Sequence, residues 1–275
     1  MMKKLSLSLI QLKVGASKTA NINRAFDKIS VAATTKDLRL VALPECFNSP
    51  YGIQYFRENA EQIPDGPTCS MLSKAAKQNS LFVVGGTIPE IDGDEIFNTC
   101  TVWNPNGELI AKYRKMHLFD IDIPGKITFK ESEILKSGNE LATFNIESMK
   151  IGLGICYDLR FEELAKLYRK QGCDMIIYPG AFNMTTGPIH WELLQRARAV
   201  DNQLYVCGIS PARGTKGYIA YGYTQITDPW GCVESVKDEE ALLYSTVELS
   251  KITSARTSIP IFDQRRLDIY DTIMK

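Results

Sequence analysis

The chain of 275 residues is marked first by what it lacks. It has no charge excess, with 32 Lys and Arg against 32 Asp and Glu. A protein that holds a phosphate backbone usually carries a basic surplus, so nucleic acid is not expected as the main partner. There are only two histidines, too few for a histidine-rich metal centre though not for a mixed one. No run approaches the ~18 apolar residues of a membrane span, and no membrane partner is expected. No two of the seven cysteines form C-x-x-C, which argues against zinc ribbons and thioredoxin-like redox motifs. An odd number cannot all pair within one chain. Without a convincing export signal, the cysteines read as reduced thiols in a cytosol-like compartment. A cytoplasmic location is expected, with the mitochondrion left open. The stretch LSLSLIQL after Met1-Met2-Lys3-Lys4 is apolar, but Leu5, Leu7 and Leu9 alternate with Ser6 and Ser8, the period of a strand rather than of a signal core.

What is present is an ordinary globular composition, 44% apolar and 23% charged, long enough to bury a core without disulfides. Strand-like and helix-like segments alternate. Strands are predicted at 5–12, 38–43, 81–86, 150–156, 175–179 and 204–210. Helices are predicted after Ser17 as a candidate N-cap and at 68–79, 160–171 and 190–201. Asn106-Gly107 and Asp228-Pro229-Trp230-Gly231 each sit between alternating segments and predict hairpins. Alternation with hairpins favours a layered α/β protein with mixed sheets and one core.

Three reactive side chains end predicted strands: Glu45 in LVALPECF, Lys115 in KYRKMHLF and Cys156 in GLGICYDLRF. Catalytic groups tend to lie beyond strand ends in α/β folds. A nucleophile at a strand-to-helix junction also lies near backbone N–H groups that can stabilise an anion. Each residue also has a plain reading. Glu45 can be a loop carboxylate, Lys115 one of a solvated cluster with Lys112 and Arg114, and Cys156 a buried thiol. Gly152 and Gly154 do not complete G-x-G-x-x-G, because position 157 is Tyr, and they read as sites of close packing. No local periodicity links the three reactive residues.

The segments LPECFNSPY, YRKMHLFD and GLGICYDLRF occur in the order found in the nitrilase superfamily of carbon–nitrogen hydrolases, and the chain resembles that superfamily over its whole length. FDIDIPGKITFKES (119–132), YPGAFNMTTGPIHWELLQRARAVDNQ (178–203) and SPAR (210–213) are most similar to its omega-amidase branch. The resemblance implies a single domain over 1–275, a four-layer α-β-β-α sandwich with two mixed β-sheets, and a Glu45–Lys115–Cys156 triad. It also implies a second glutamate near the site, matched by Glu131; without the family, Glu131 reads as a surface carboxylate in a polar loop. Neither a metal nor another cofactor is implied.

The implied reaction hydrolyses the terminal amide of a small 2-oxo dicarboxylate monoamide, such as 2-oxoglutaramate or 2-oxosuccinamate, through a cysteine thioester. Arg160, four residues after Cys156, is the candidate partner of the substrate carboxylate; otherwise it would pair with Asp158 or Glu162. Tyr51, Phe119, Tyr157, Phe182 and Thr185 are candidate substrate-binding residues, and Tyr157 would supply an oxyanion N–H. The family also implies a homodimer, with the 190–201 helix, the segment 259–266 and more broadly 256–275 at the interface. The competing readings are a papain-like pair of Cys156 with His117 or His190, a sister-branch amidase acting on a deaminated peptide or carbamoylated amine, and a catalytically silent interaction protein on the same fold.

Overall fold

A computed structural model describes residues 4–125, 127–214 and 218–275. Met1–Lys3, read above with the first strand, and Lys126 of the segment 119–132 lie outside the described residues. The chain runs β1 (Lys4–Gln11), α1 (Lys18–Ala33), β2 (Leu40–Ala42), α2 (Ile53–Asn59), α3 (Pro67–Asn79), β3 (Phe82–Val84), β4 (Ile88–Asp92), β5 (Glu95–Trp103) and β6 (Leu109–Arg114). A small hairpin follows, β7 (Asp120–Ile123) and β8 (Ile127–Lys130). Then come β9 (Thr143–Ile146), β10 (Met149–Leu153), α4 (Glu162–Lys170), β11 (Met175–Pro179), α5 (Gly187–Asn202), β12 (Tyr205–Ile209), β13 (Gln225–Thr227) and β14 (Val233–Ser235). The described chain closes with β15 (Ala241–Glu248), α6 (Leu249–Ser258) and a tail of turns and irregular chain.

One sheet has the order β15-β1-β2-β3-β5-β4, with β6 also paired to β5; the other is β14-β13-β12-β11-β10-β9. Each has a parallel centre, β1-β2-β3 and β10-β11-β12, flanked by antiparallel strands. The period of β1 shows how the layers form. Leu5, Leu7 and Leu9 enter the core shared with the second sheet, where Ile151, Leu153 and Ile177 meet them. Ile10 turns the other way and, with Val41, Leu43 and Val83, packs under Ala25, Ile29, Leu72 and Ala76 of α1 and α3. On the second sheet α4 and α5 supply the outer layer. The result is the expected four-layer sandwich with two mixed sheets.

Local signals account for much of this. The Ser17 hydroxyl accepts a hydrogen bond from the Ala20 N–H at the start of α1. Gly107 turns the β5–β6 hairpin with φ +81°. Gly152 and Gly154 make room for aromatic rings: a Cβ would come within 2.7 Å of the Tyr168 ring at the first and 2.3 Å of the Tyr178 ring at the second. That close packing replaces the rejected dinucleotide reading with a structural reason for both glycines.

Candidate active site

Both sheets deliver residues to one end of the sandwich. Glu45 follows β2, Lys115 follows β6 and Cys156 follows β10, so residues distant in sequence meet where strands from two sheets end. Lys115 Nζ lies 3.2 Å from Glu45 Oε1 and 2.8 Å from Glu131 Oε2, and all three side chains are fully buried. The Cys156 thiol lies within electrostatic reach of both Glu45 and Lys115. The other contacts of Glu45 fix its carboxylate: Asn98 Nδ2 donates to Oε1 at 2.9 Å, and the Ala181 N–H donates to Oε2 at 2.8 Å. Glu131 is not a surface residue. It sits in a short 3₁₀ turn after β8, accepts from Tyr51 Oη at 2.6 Å and from the Phe119 N–H at 2.7 Å, and holds Lys115.

Cys156 opens a 3₁₀ turn (Cys156–Arg160) at φ +46°, a left-handed conformation that a non-glycine residue keeps only when its surroundings enforce it. Asp158 is one enforcing group. Its Oδ2 accepts from the Ile155 N–H at 2.9 Å and Tyr113 Oη at 2.7 Å; Oδ1 accepts from the His117 N–H at 2.9 Å. Buried Arg198 on α5 adds bonds to the carbonyls of Leu159 and Arg160 at 3.1 and 2.9 Å. Tyr157 stands at the start of this turn, where N–H groups have no partner within the helix.

The electrostatics follow from one cation among two carboxylates and a thiol. Burial works against the charge on Lys115, but Glu131 and Glu45 outweigh it and hold the ammonium protonated, its pKa well above the ordinary lysine value. Burial pushes the Glu45 carboxyl up, Lys115 pulls it back, and the Glu131 charge raises it further; the net direction is up. Burial likewise pushes the Cys156 thiol up, with Glu45 raising it and Lys115 lowering it. The resting site therefore has a protonated thiol beside a carboxyl group with heightened proton affinity.

The cleft above Cys156 is lined by Phe119, Tyr157, Arg160, Ala181, Phe182, Asn183, Thr186 and Tyr218. Of the expected substrate-binding residues, Phe119, Tyr157, Arg160 and Phe182 are there. Thr185 is not: Thr186 lines the cleft, because the turn before α5 directs both backbone N–H groups to Asn183 Oδ1 and buries only the second side chain. Tyr51 lies behind Glu131, with its ring 4.6 Å from that of Tyr218. Arg160 has neither Asp158 nor Glu162 as partner, since Asp158 serves the turn and Glu162 pairs with Lys166. Its Nη1 lies 3.1 Å from His190 Nδ1, and its head stands 4.8 Å from the Phe182 ring centre. Among the described residues no carboxylate reaches it, and desolvation lowers its pKa.

Both histidines are thereby accounted for away from the sulfur. His190 meets Arg160, while His117 Nδ1 lies 2.7 Å from Asp158 and stacks on Phe161. Cys46 is next to Glu45 and buried, its thiol pushed well up by burial and by Glu45. The sequence reading singled out none of Asn98, Asn183, Thr186 and Tyr218, and named Asp158 only as an alternative partner of Arg160. Only Asp158 had a signal there, its place two residues after Cys156.

A buried Glu, Lys and Cys meet at the ends of two facing mixed sheets, an arrangement with the parts for nucleophilic hydrolysis. The chain belongs to the carbon–nitrogen hydrolase family, whose model matches residues 6–257. It is 52% identical over 271 residues to omega-amidase NIT2 of Homo sapiens and 50% identical over 271 residues to that of Danio rerio. The alignments cover 98% of this chain in both cases, and 98% and 97% of the relatives. Among solved structures, Saccharomyces cerevisiae Nit3, a member of branch 10 of the nitrilase superfamily, superposes with a TM-score of 0.89 at 42% identity, covering 97% of this chain and 98% of that one.

Proposed function

We propose that this enzyme is an omega-amidase, hydrolysing the terminal amide of 2-oxo dicarboxylate monoamides to the 2-oxo acid and ammonia. The full-length similarity to omega-amidases supports the activity. The observation that carries the substrate class is Arg160, a partly desolvated guanidinium in the cleft with no carboxylate partner among the described residues. A substrate with a carboxylate at the end far from its amide fills that vacancy with a two-bonded contact.

In this reading Glu45 takes the thiol proton as Cys156 Sγ attacks the amide carbon. Lys115 and the Tyr157 N–H hold the oxyanion. Loss of one such donor typically costs ~10²–10³ in rate. The C–N bond breaks as Glu45 returns the proton to the nitrogen, and ammonia leaves a thioester on Cys156. Water, deprotonated by Glu45, attacks the thioester carbon and releases the acid and the thiol. Glu131 orients Lys115 throughout, and no metal or cofactor takes part in these steps. The catalytically silent reading and the papain-like reading have no observation in their favour, and the sister-branch substrates differ in what lies beyond the amide.

The test is a panel of amides assayed for ammonia release. Turnover of 2-oxoglutaramate well above that of uncharged amides is expected, and Arg160→Ala should raise KM for the oxo acid amides far more than for uncharged ones. Equal effects on both classes would reject the carboxylate assignment.

The proposed assembly is a homodimer. On α5, Ile189 and Leu193 are 62% and 60% exposed, and the tail exposes Ile269 and Ile273 at 67% and 68%. Exposed apolar surface of this kind on α5 and on the tail favours a subunit contact. Sedimentation should give twice the chain mass, and a monomer would refute it.

A further inference from the structure

Asn183 lines the cleft, and its side-chain donor has no partner among the described residues. The residue is 6% exposed, and its amide is locked in one orientation. Oδ1 accepts from the Thr185 and Thr186 N–H groups, both at 2.9 Å, and from Thr186 Oγ1 at 3.3 Å. A flipped amide would set NH₂ against two N–H donors, so Oδ1 faces the start of α5 and Nδ2 faces away from it. Nδ2 is shielded from solvent and has no hydrogen-bond partner among the described residues. Buried donors are paired in nearly all folded proteins, and one left open beside a cleft marks a place for a ligand acceptor.

The backbone is equally fixed. The Asn183 carbonyl accepts from the Gly187 N–H at 2.8 Å, and Asn183 bridges to Ala220. The residue therefore does not adapt to substrate by moving; it presents a preset donor. Arg160 lines the same cleft and its side chain also offers only donors.

Resting on the omega-amidase reading, we infer that Asn183 is a specificity-determining residue that recognises the 2-oxo group: Arg160 binds the terminal carboxylate while Asn183 Nδ2 donates to the adjacent ketone oxygen. A 2-oxo acid places carboxylate and ketone oxygens side by side, matching two donors that line one cleft. A 2-amino acid amide such as glutamine places an ammonium there instead. That cation meets an NH₂ and a guanidinium and finds no acceptor, so the pair selects for the ketone and against the amine. A site built to donate to a substrate oxygen also discriminates against an analogue lacking it, because its donor then stays unpaired.

The experiment compares kcat/KM for 2-oxoglutaramate, glutaramate (the same chain with CH₂ for the ketone) and glutamine. It uses the wild-type enzyme, Asn183→Asp and Asn183→Ser. Both replacements keep an oxygen for the Thr185 and Thr186 N–H groups. The preference for 2-oxoglutaramate over glutaramate should fall on the order of 10–100-fold in Asn183→Asp, with a rise for glutamine relative to both, and fall in Asn183→Ser without that rise. Equal losses on 2-oxoglutaramate and glutaramate in both variants would make Asn183 merely structural and overturn the inference. A wild-type enzyme that leaves 2-oxoglutaramate intact would overturn the omega-amidase reading itself. Activity with unchanged ratios overturns only the role of Asn183. Melting curves of the two variants identify any that fail to fold, and the folded one decides.

Discussion

Two charge clusters grow from the same hairpin and differ in what their charges do. On the rim, Glu90 is gripped by Lys112 at 2.9 Å and by Arg114 through two bonds of 2.7 and 2.8 Å, with Thr99 Oγ1 at 2.6 Å. The cationic side chains remain 38% and 24% exposed. One residue further on, Lys115 is fully buried and, among the described residues, is the one cation paired with Glu45 and Glu131. In the first cluster Glu90 meets two cations, one of which, Arg114, also pairs with Asp92 at 2.6 Å; in the second, two carboxylates share one cation. Burial raises the pKa of Glu90, but the Arg114, Thr99 and Lys112 bonds outweigh it and the net shift is down. Glu45 shifts up. A carboxylate gripped by two partly exposed cations is an anchor, whereas one that must share its single cation in a dry site has an appetite for protons.

The contrast breaks most sharply at the sulfur. Cys156→Ala should lower amide hydrolysis by about 10⁴-fold or more with the fold intact, since deleting a nucleophile removes the covalent route as a whole. Ammonia release checks the loss, and mass spectrometry of quenched wild-type reactions should find an acyl group on the peptide containing Cys156. Near-normal turnover by the variant would end the scheme. Glu45→Gln should cost ~10²–10⁴-fold in kcat, the usual share of a general acid–base group. The matching change on the rim, Glu90→Gln, should leave kcat near wild type. If the two glutamines had similar effects on kcat, the division between anchor and proton acceptor would fall.

The next effect is on stability. Lys115→Met leaves Glu45 and Glu131 facing each other without a cation. Breaking a buried pair by removing one partner typically costs about 3–5 kcal/mol, because a buried charge stays uncompensated. Denaturant unfolding at neutral pH should show a loss of that order, together with loss of activity. A variant as stable as the wild type would mean that one carboxyl is already protonated at rest.

Much of this contrast was hidden in the sequence. The strands ending at Pro44-Glu45 and at Ile155-Cys156 were legible from their apolar runs, and the Asn106-Gly107 turn from local chemistry. Lys112, Arg114 and Lys115, however, look like one basic patch. Only alternation along β6 and the turn after it separates the rim pair from the buried residue. Glu131 follows a short amphipathic hairpin whose strands alternate half-buried and exposed, so its sequence reads as a loop. The family resemblance supplied what periodicity could not. Asn183 and Thr186 were illegible for another reason: their roles depend on which way a turn before α5 directs its N–H groups. Thr185 and Thr186 carry the same side chain, and no sequence rule tells which one the cleft receives.

The smallest effect is a pH dependence, and its two halves have opposite signs. The folded pKa of Glu90 lies below its ordinary value of 4.5. Its contribution is complete above that value and is lost as pH falls through the folded pKa, because the unfolded chain then binds the proton more readily. Glu90→Gln should therefore lower stability by about 1–3 kcal/mol at neutral pH, and the gap to wild type should close in acid. Glu45 runs the other way. Its folded pKa lies above 4.5, so its contribution is complete below that value and is lost as pH rises through the folded pKa. The stability of wild type relative to Glu45→Gln should therefore increase on acidification, where that of wild type relative to Glu90→Gln decreases. Thermal melts of the three proteins across the acid range measure both slopes. Parallel slopes would show that the two carboxylates share one electrostatic environment after all, and that burial beside a shared cation does not distinguish the site from the rim.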